Sequence, residues 1–379
     1  MSMKIRITKE TWFVIVITVL TTVMFYLPTG HENPSITKAA MHEKALVLKT
    51  DNSDLQSFSI VTTGTQEVEL LIKTGQFAGD TVHAKNVLLG QKNLDKIFRP
   101  GDRVLAVIQP DESGESYAGV RAAEYYRQDV IWVLFGCFAL FLLLFSKAAG
   151  FRIVLSFIFT AVALWKVLVP LYLSGYSPLW TAMGIVLVCT AITLLLVGGI
   201  NRKGIIAFLG TAVGIIATAI IAIVFGYLFK IPATIQEYSE ALLYTGYSHL
   251  NLSDIFIAGI FISSAGVVMD VAMDISASLH ELCEHNPQIS RKNLTLSGFR
   301  IATPVIGTMT TTLLFAYSGS FMFAMMAFMA KGIDMKSIIN SGFVAAEILH
   351  TLVGSFGLVL VAPLTAIIGG YLYTMKKKS

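Results

Sequence analysis

The residues best equipped for chemistry lie in one apolar run, FISSAGVVMDVAMDISASLHELCEH, which starts at Phe261. At about 100° per residue, Asp274 falls about 40° from Asp270, and Glu281 and Ser263 each about 20° from it, so one helix face carries all four. Counted from Ile255 as the outer end, Asp270 lies roughly 22 Å along such a helix, which puts both aspartates in the inner half of a bilayer and Glu281 at the inner interface. Carboxylates cannot face lipid cheaply, so this stripe is expected to line an enclosed or wet cavity. Two readings stay open. The acids share a proton or coordinate a cation on a path, or they are structural and bonded to neighbouring helices.

A second acid lies in AAEILH, where Glu347 and His350 are three residues apart and share adjacent faces of one turn. On a broken helix Glu347 could approach the aspartates, and His350 could relay protons; contact with headgroups or water is the plainer alternative. The Thr308 to Thr312 run offers hydroxyls to the same cavity. Lys166 is a candidate counter-charge, set against simple snorkelling. HELCEH does not fit a zinc motif: HExxH needs a histidine where Glu284 stands, and His280 and His285 would sit about 140° apart on a helix. No Gly-x-Gly-Asp, P-loop or dinucleotide fingerprint occurs, so no cofactor or metal is expected. Cys137, Cys189 and Cys283 read as small buried apolar residues.

The elements that must hold these groups follow from the distribution of charge. Of the 379 residues 55% are hydrophobic and 14% charged, with mean hydropathy +0.70, whereas soluble domains carry roughly 25% charge. Residues 28–129 hold 14 of the 24 acids and 11 of the 28 bases. The rest is mainly apolar runs near the roughly 20 residues needed to cross a bilayer. This excludes a soluble enzyme and a nucleic-acid-binding protein. The reading is a polytopic α-helical membrane protein of about eight spans with a small extracytoplasmic β-barrel-like domain.

Residues 1–29 form a cytoplasmic N-terminus and an uncleaved signal anchor, residues 30–127 the outer domain, and 128–379 the multi-helix domain. Further spans are expected at 130–146, 151–173, 179–200, 204–229, 254–279, within 300–330, and ending at Met375. Lys4, Arg6, Lys9, Lys147, Arg152, Arg202, Lys203, Arg291, Lys292, Arg300 and Lys376 to Lys378 then fall on one side. Both termini are therefore expected in the cytoplasm. Residues 338–375 would span on the order of 57 Å as one helix, so a broken or re-entrant piece near 338–354 is expected, with Gly354, Gly357 and Pro363 offering the break. Gly210 and Gly214, with Gly198, Gly199 and Gly204, suit close helix packing, inside the chain or between subunits of a homo- or hetero-oligomer.

The outer domain alternates with period two in KALVLKT, SFSIVTT, TQEVELLIK, TVHAKNVLL, DRVLAVIQ and SYAGVRAAEYY. Five or six short strands suggest a closed barrel of the SH3 or OB kind, acting as a structural or partner-binding cap.

Three segments together, SSAGVVMDVAMDISASLHEL, GFRIATPVIGTMTTTLLFAYSG and AAEILHTLVGSFGLVLVAPLTA, resemble the YibE/F-like family of bacterial membrane proteins, and LLLVGGINRKGIIAFLGT, GDRVLAVI and YYRQD fit the same pattern. The resemblance implies a multi-spanning protein of the bacterial cell membrane with Asp270, Asp274, Glu281, Glu347 and Pro363 in its shared motifs. It brings no substrate or reaction. The residues point first to a proton- or cation-coupled transporter or permease component that moves a small ion or solute, with Ser263, Asp270, Asp274, Glu281, Thr308, Glu347 and His350 as the binding set. A scaffold or sensor that binds a partner through its outer domain, and an intramembrane hydrolase, are the alternatives.

Overall fold

The computed structural model describes residues 9–31, 40–111 and 116–375. Lys4, Arg6 and Lys376 to Lys378, which enter the charge argument, lie outside the described residues, as do 32–39 and 112–115 of the β-rich domain. The chain forms two compact units, residues 31–141 in one and 1–30 with 142–379 in the other.

The first unit holds β1 (Met41–Asp51), β2 (Gln56–Phe58), β3 (Val61–Ile72), β4 (Thr81–Leu89), β5 (Arg103–Pro110) and β6 (Tyr117–Tyr125). Burial alternates strictly along β4, so Val82, Ala84 and Leu88 point inward while Lys85, Val87 and Leu89 point out. An irregularity between Val47 and Lys49 bends β1, which pairs with both β3 and β5 and closes the sheet in the order β1-β5-β6-β4-β3-β1. The single parallel pair is β4 with β6. Five strands closed this way have the topology of an OB barrel, which decides between the two kinds expected. The stretch read as two similar strands, SFSIVTT and TQEVELLIK, is instead a three-residue strand β2 turned back onto one long strand β3. Inside, the Gln66 side chain accepts from the Phe98 N–H and donates to the Phe98 carbonyl, at 3.0 and 2.9 Å, while Asn86 donates to Gln66 and to the Lys96 carbonyl. That satisfied network pins the 91–98 loop to the sheet.

The second unit is helical. Its elements are α1 (Lys9–Tyr26), the part of α2 (Gln128–Ala163) from 142 on, a π turn and α3 (Val169–Leu173), α4 (Pro178–Gly198), α5 (Arg202–Phe229), α6 (Ser239–Tyr244), α7 (Leu252–His285), α8 (Arg291–Ser320), α9 (Met322–Ala330), α10 (Met335–Asn340) and α11 (Gly342–Thr374). Among the described residues seven helical stretches are long and apolar enough to cross a membrane. One of them, Gln128–Leu173, is broken: Lys147 has φ 48° and ψ −121°, and a Cβ on Gly150 would lie 2.3 Å from the Leu142 carbonyl oxygen. Eight residues of unbroken helix would separate those positions by about 12 Å. The chain folds back here, giving the two helices expected at 130–146 and 151–173.

The expected break near 338–354 takes a different form. The turn lies at Ser341, whose hydroxyl caps α11 by accepting from the Val344 N–H, and Gly354, Gly357 and Pro363 continue within one 33-residue helix. Their small size serves contact: Gly354 lies against Ser264, and Gly357 against Thr218 and Val268. Gly210 and Gly214 of α5 are likewise filled from within the chain, by Thr365 and Val361 of α11, so that glycine face is not free for a second subunit. Cys189 is buried and Cys283 half-buried, as small apolar residues would be, but Cys137 is exposed.

Candidate functional site

The helix α7 organises the second unit. Its buried face, including Val268, Val271, Ala272, Ile275 and Leu279, packs into a core shared with α4, α5, α8 and α11. Two contacts fix its neighbours' registers. Tyr317 of α8 donates to the Ser263 hydroxyl at 2.9 Å, and Gly298 packs on Leu279, so α8 runs antiparallel with Thr308 level with Asp270. Gly354 against Ser264 and Gly369 against Leu279 make α11 parallel to α7.

The opposite face of α7 carries Ser263, Gly266, Asp270, Asp274 and Glu281, and all five are exposed. The stripe expected from periodicity is therefore present, and of the enclosed or wet cavity expected around it the enclosed form is not seen among the described residues. A cavity of about 230 Å³ borders its upper part, lined by Ser263, Gly266 and Met269 of α7 with Thr160, Thr190 and Thr193. The aspartates lie beyond that cavity on the open side of the helix.

The position of the acids along the bundle follows from the neighbouring helix ends. The Ser276 hydroxyl donates to the Lys203 carbonyl, and Tyr373 donates to the Ser276 carbonyl, so Ser276 is level with the start of α5 and the end of α11. Residues past it extend beyond those helix ends. Asp274 is thus at the rim of the bundle, and Asp270 is about 9 Å further in than Ser276. The same end gathers charge: Arg152 pairs with Glu10 at 3.3 Å, and the Arg291 guanidinium lies over the Tyr371 ring.

Glu347 does not join the acids. In the α11 register it is level with Ile257, about 20 Å along the helix from Asp270, and it is half-buried. The continuous course of α11 keeps it there. His350 is level with the N-terminal third of α7, its ring 5.4 Å from that of Phe256 and edge-on to Tyr317 at 5.7 Å, and its Nε2 is buried with no hydrogen-bond partner. Lys166 donates to the Leu27 carbonyl instead of facing the acids. His280 stacks on Tyr373 and pairs with Glu284, and no cluster of metal-ligating side chains occurs among the described residues.

Tyr317, Gly266 and the cavity threonines were not singled out in the sequence. The signal for Gly266 is its spacing, four residues before Asp270 and about 40° from it. Tyr317 carries no such signal, because its link to Ser263 depends on the α7–α8 register.

The chemistry of the surroundings is one-sided. Thr303, Thr308, Thr311 and Thr312 of α8 each donate their hydroxyl proton to carbonyls of the preceding turn. What remains on each oxygen is acceptor capacity. Pro304 has no N–H, so the Arg300 carbonyl lacks its helical donor near the rim. Two carboxylates, with acceptor oxygen at the level of Asp270 on the neighbouring helix, suit a cation or a proton.

No curated protein and no solved structure matches the chain. The YibE/F-like protein family matches over residues 134–375, which takes in the helices that carry the acidic stripe and every neighbour that sets its register. The chain belongs to the YibE/F-like family.

Proposed function

We propose that the chain is a polytopic bacterial membrane protein that acts as a secondary transporter or permease component, coupled to protons or cations rather than catalysing a reaction. The observation that carries this is the exposed face of α7. In a helix otherwise buried in apolar contacts, Asp270 and Asp274 come directly after the hydroxyl-lined cavity at Ser263 and Gly266. Asp270 is the principal binding group, Asp274 the mouth, with Thr308 supplying an oxygen at the depth of Asp270 and the Arg300 carbonyl one near the rim. Ions bound at such groups would be exchanged with the water at the basic end of the bundle.

The topology belongs to the same proposal. The alternating helix directions bring Arg152, Arg202, Lys203 and Arg291 to one end, which supports a cytoplasmic placement of that end and an outer placement of residues 30–127. Purified protein should show a rise in apparent melting temperature on adding its cation or on lowering pH, and Asp270→Asn should lose it. An unchanged response in that variant would refute the site.

A scaffold or sensor role has one observation of its own. Phe58, Ile60 and Leu89 are 63%, 71% and 67% exposed on the β unit, an apolar patch of the kind that contacts a partner. Loss of a co-purifying protein on Phe58→Ser with Leu89→Ser would support that reading.

A further inference from the structure

A cavity of about 470 Å³ opens between the α5–α7 connection, the start of α7 and α11, at the opposite end of the unit from the acids. Its volume is within the roughly 300–1,000 Å³ of small-molecule sites. The walls are mostly apolar, with Leu242, Leu252, Ile255 and Phe256, and Gln236 adds a neutral amide. Glu237 brings a carboxylate. Ser239 and Thr245 have given their hydroxyl protons to backbone carbonyls, at 2.6 Å and at 2.9 and 3.1 Å, and so present acceptor oxygen. Among the described residues no lysine or arginine lines the cavity.

Two aromatic faces complete it. Tyr238 stands in the left-handed region at φ 63°, a costly position for an aromatic residue and of the sort found at ligand clamps. Phe256 packs on His350, which also lines the cavity and whose Nε2 is buried and unpartnered. Gly259 has no atom near its Cβ position, and it lies on the stripe that continues to Asp270, about 16 Å further along α7 and about 20° around it.

We infer that this cavity binds an amphipathic organic cation, with its apolar body against the aliphatic walls and its charged nitrogen held by Glu237 and the aromatic faces. Such a cation is the substrate class of the transport reading, and its passage, though not its binding, rests on that reading. A cation is favoured over an acid because the one charged side chain among the lining residues is the Glu237 carboxylate, with no lysine or arginine beside it. A lipid chain is the competing occupant.

Tetraphenylphosphonium and tetraphenylborate, alike in shape and opposite in charge, separate these in equilibrium dialysis against the purified full-length chain in detergent. Saturable phosphonium binding is expected, weakened about tenfold by Glu237→Gln, which corresponds to about 1.4 kcal/mol. Gly259→Leu, whose Cβ enters open space at the cavity wall, should abolish it. Borate binding as tight as phosphonium binding, or phosphonium binding indifferent to Gly259→Leu, is the lipid-like result and overturns the inference. If that happens while the wild-type ion response persists, the transport reading stands alone. If phosphonium binds as expected but the wild type shows no ion response, the transport reading fails and this site stands.

Discussion

Adding one methyl group at two glycines separates packing from propensity in this bundle. A Cβ on Gly210 would lie 2.1 Å from the Thr365 Oγ1 and 2.9 Å from its Cβ, and Thr365 is fully buried with its hydroxyl bonded to the Val361 carbonyl. A β-branched helical residue has little rotamer freedom with which to move aside, so α5 and α11 must separate. A Cβ on Gly266 would meet nothing within 4 Å. Alanine gains about 0.8–1.0 kcal/mol of helix propensity over glycine at either place, and overpacking costs about 1–3 kcal/mol. Gly266→Ala should therefore stabilise by up to about 1 kcal/mol and Gly210→Ala should destabilise by up to about 2 kcal/mol. Their difference, in which propensity cancels, isolates the contact. Unfolding of the purified protein in mixed micelles with rising SDS, tracked by circular dichroism, measures it. Equal stabilities for the two variants, or a larger loss at Gly266, would refute the packing argument and the open face it implies.

Three further outcomes are expected. Lys92→Cys, in the exposed 91–94 turn of the outer unit, should react with a membrane-impermeant maleimide in whole cells, and Gln288→Cys, between α7 and α8, should react only after lysis; outside labelling of the second would overturn the topology. Residues 30–127 alone should give a β-type spectrum with cooperative melting, and a helical or disordered spectrum would contradict the closed barrel. In that domain burial works to raise the Glu124 carboxyl, but the Lys96 ammonium at 2.6 Å, the Tyr125 N–H and Arg127 outweigh it and hold it below its ordinary 4.5. A carboxyl lowered on folding contributes stability above its unfolded pKa and loses it as pH falls through the folded one. The domain's melting temperature should therefore drop below about pH 4.5, and Glu124→Gln should flatten that drop.

Local patterns in this chain were readable, and long-range registers were not. The alternation of β4, the acidic stripe of α7 and the hairpin at Lys147 depend on periods of two or 3.6 residues and on run length, all present in the sequence. The OB closure depends on β1 pairing with both β3 and β5, which no local pattern encodes. Glu347 could approach the aspartates only on a helix broken after it, and Ser341 caps α11 before it, so the helix runs on unbroken past Glu347. The rim position of Asp274 depends on α5 and α11 reaching only to the level of Ser276, which helix length does not reveal. The open side of the stripe was hidden for a related reason: a helix wheel identifies a polar face but not what stands opposite it.

The central claim, that the α7 stripe binds and passes a cation or proton, meets its most direct test in a graded series of isosteric substitutions in liposomes. Depth orders the expected losses. Asp270→Asn should abolish pH- or cation-driven flux, Asp274→Asn at the rim should reduce it, and Glu281→Gln, beyond the bundle end, should change it least, with all three proteins folded. Full wild-type flux in the Asp270→Asn, Asp274→Asn double variant would contradict the account.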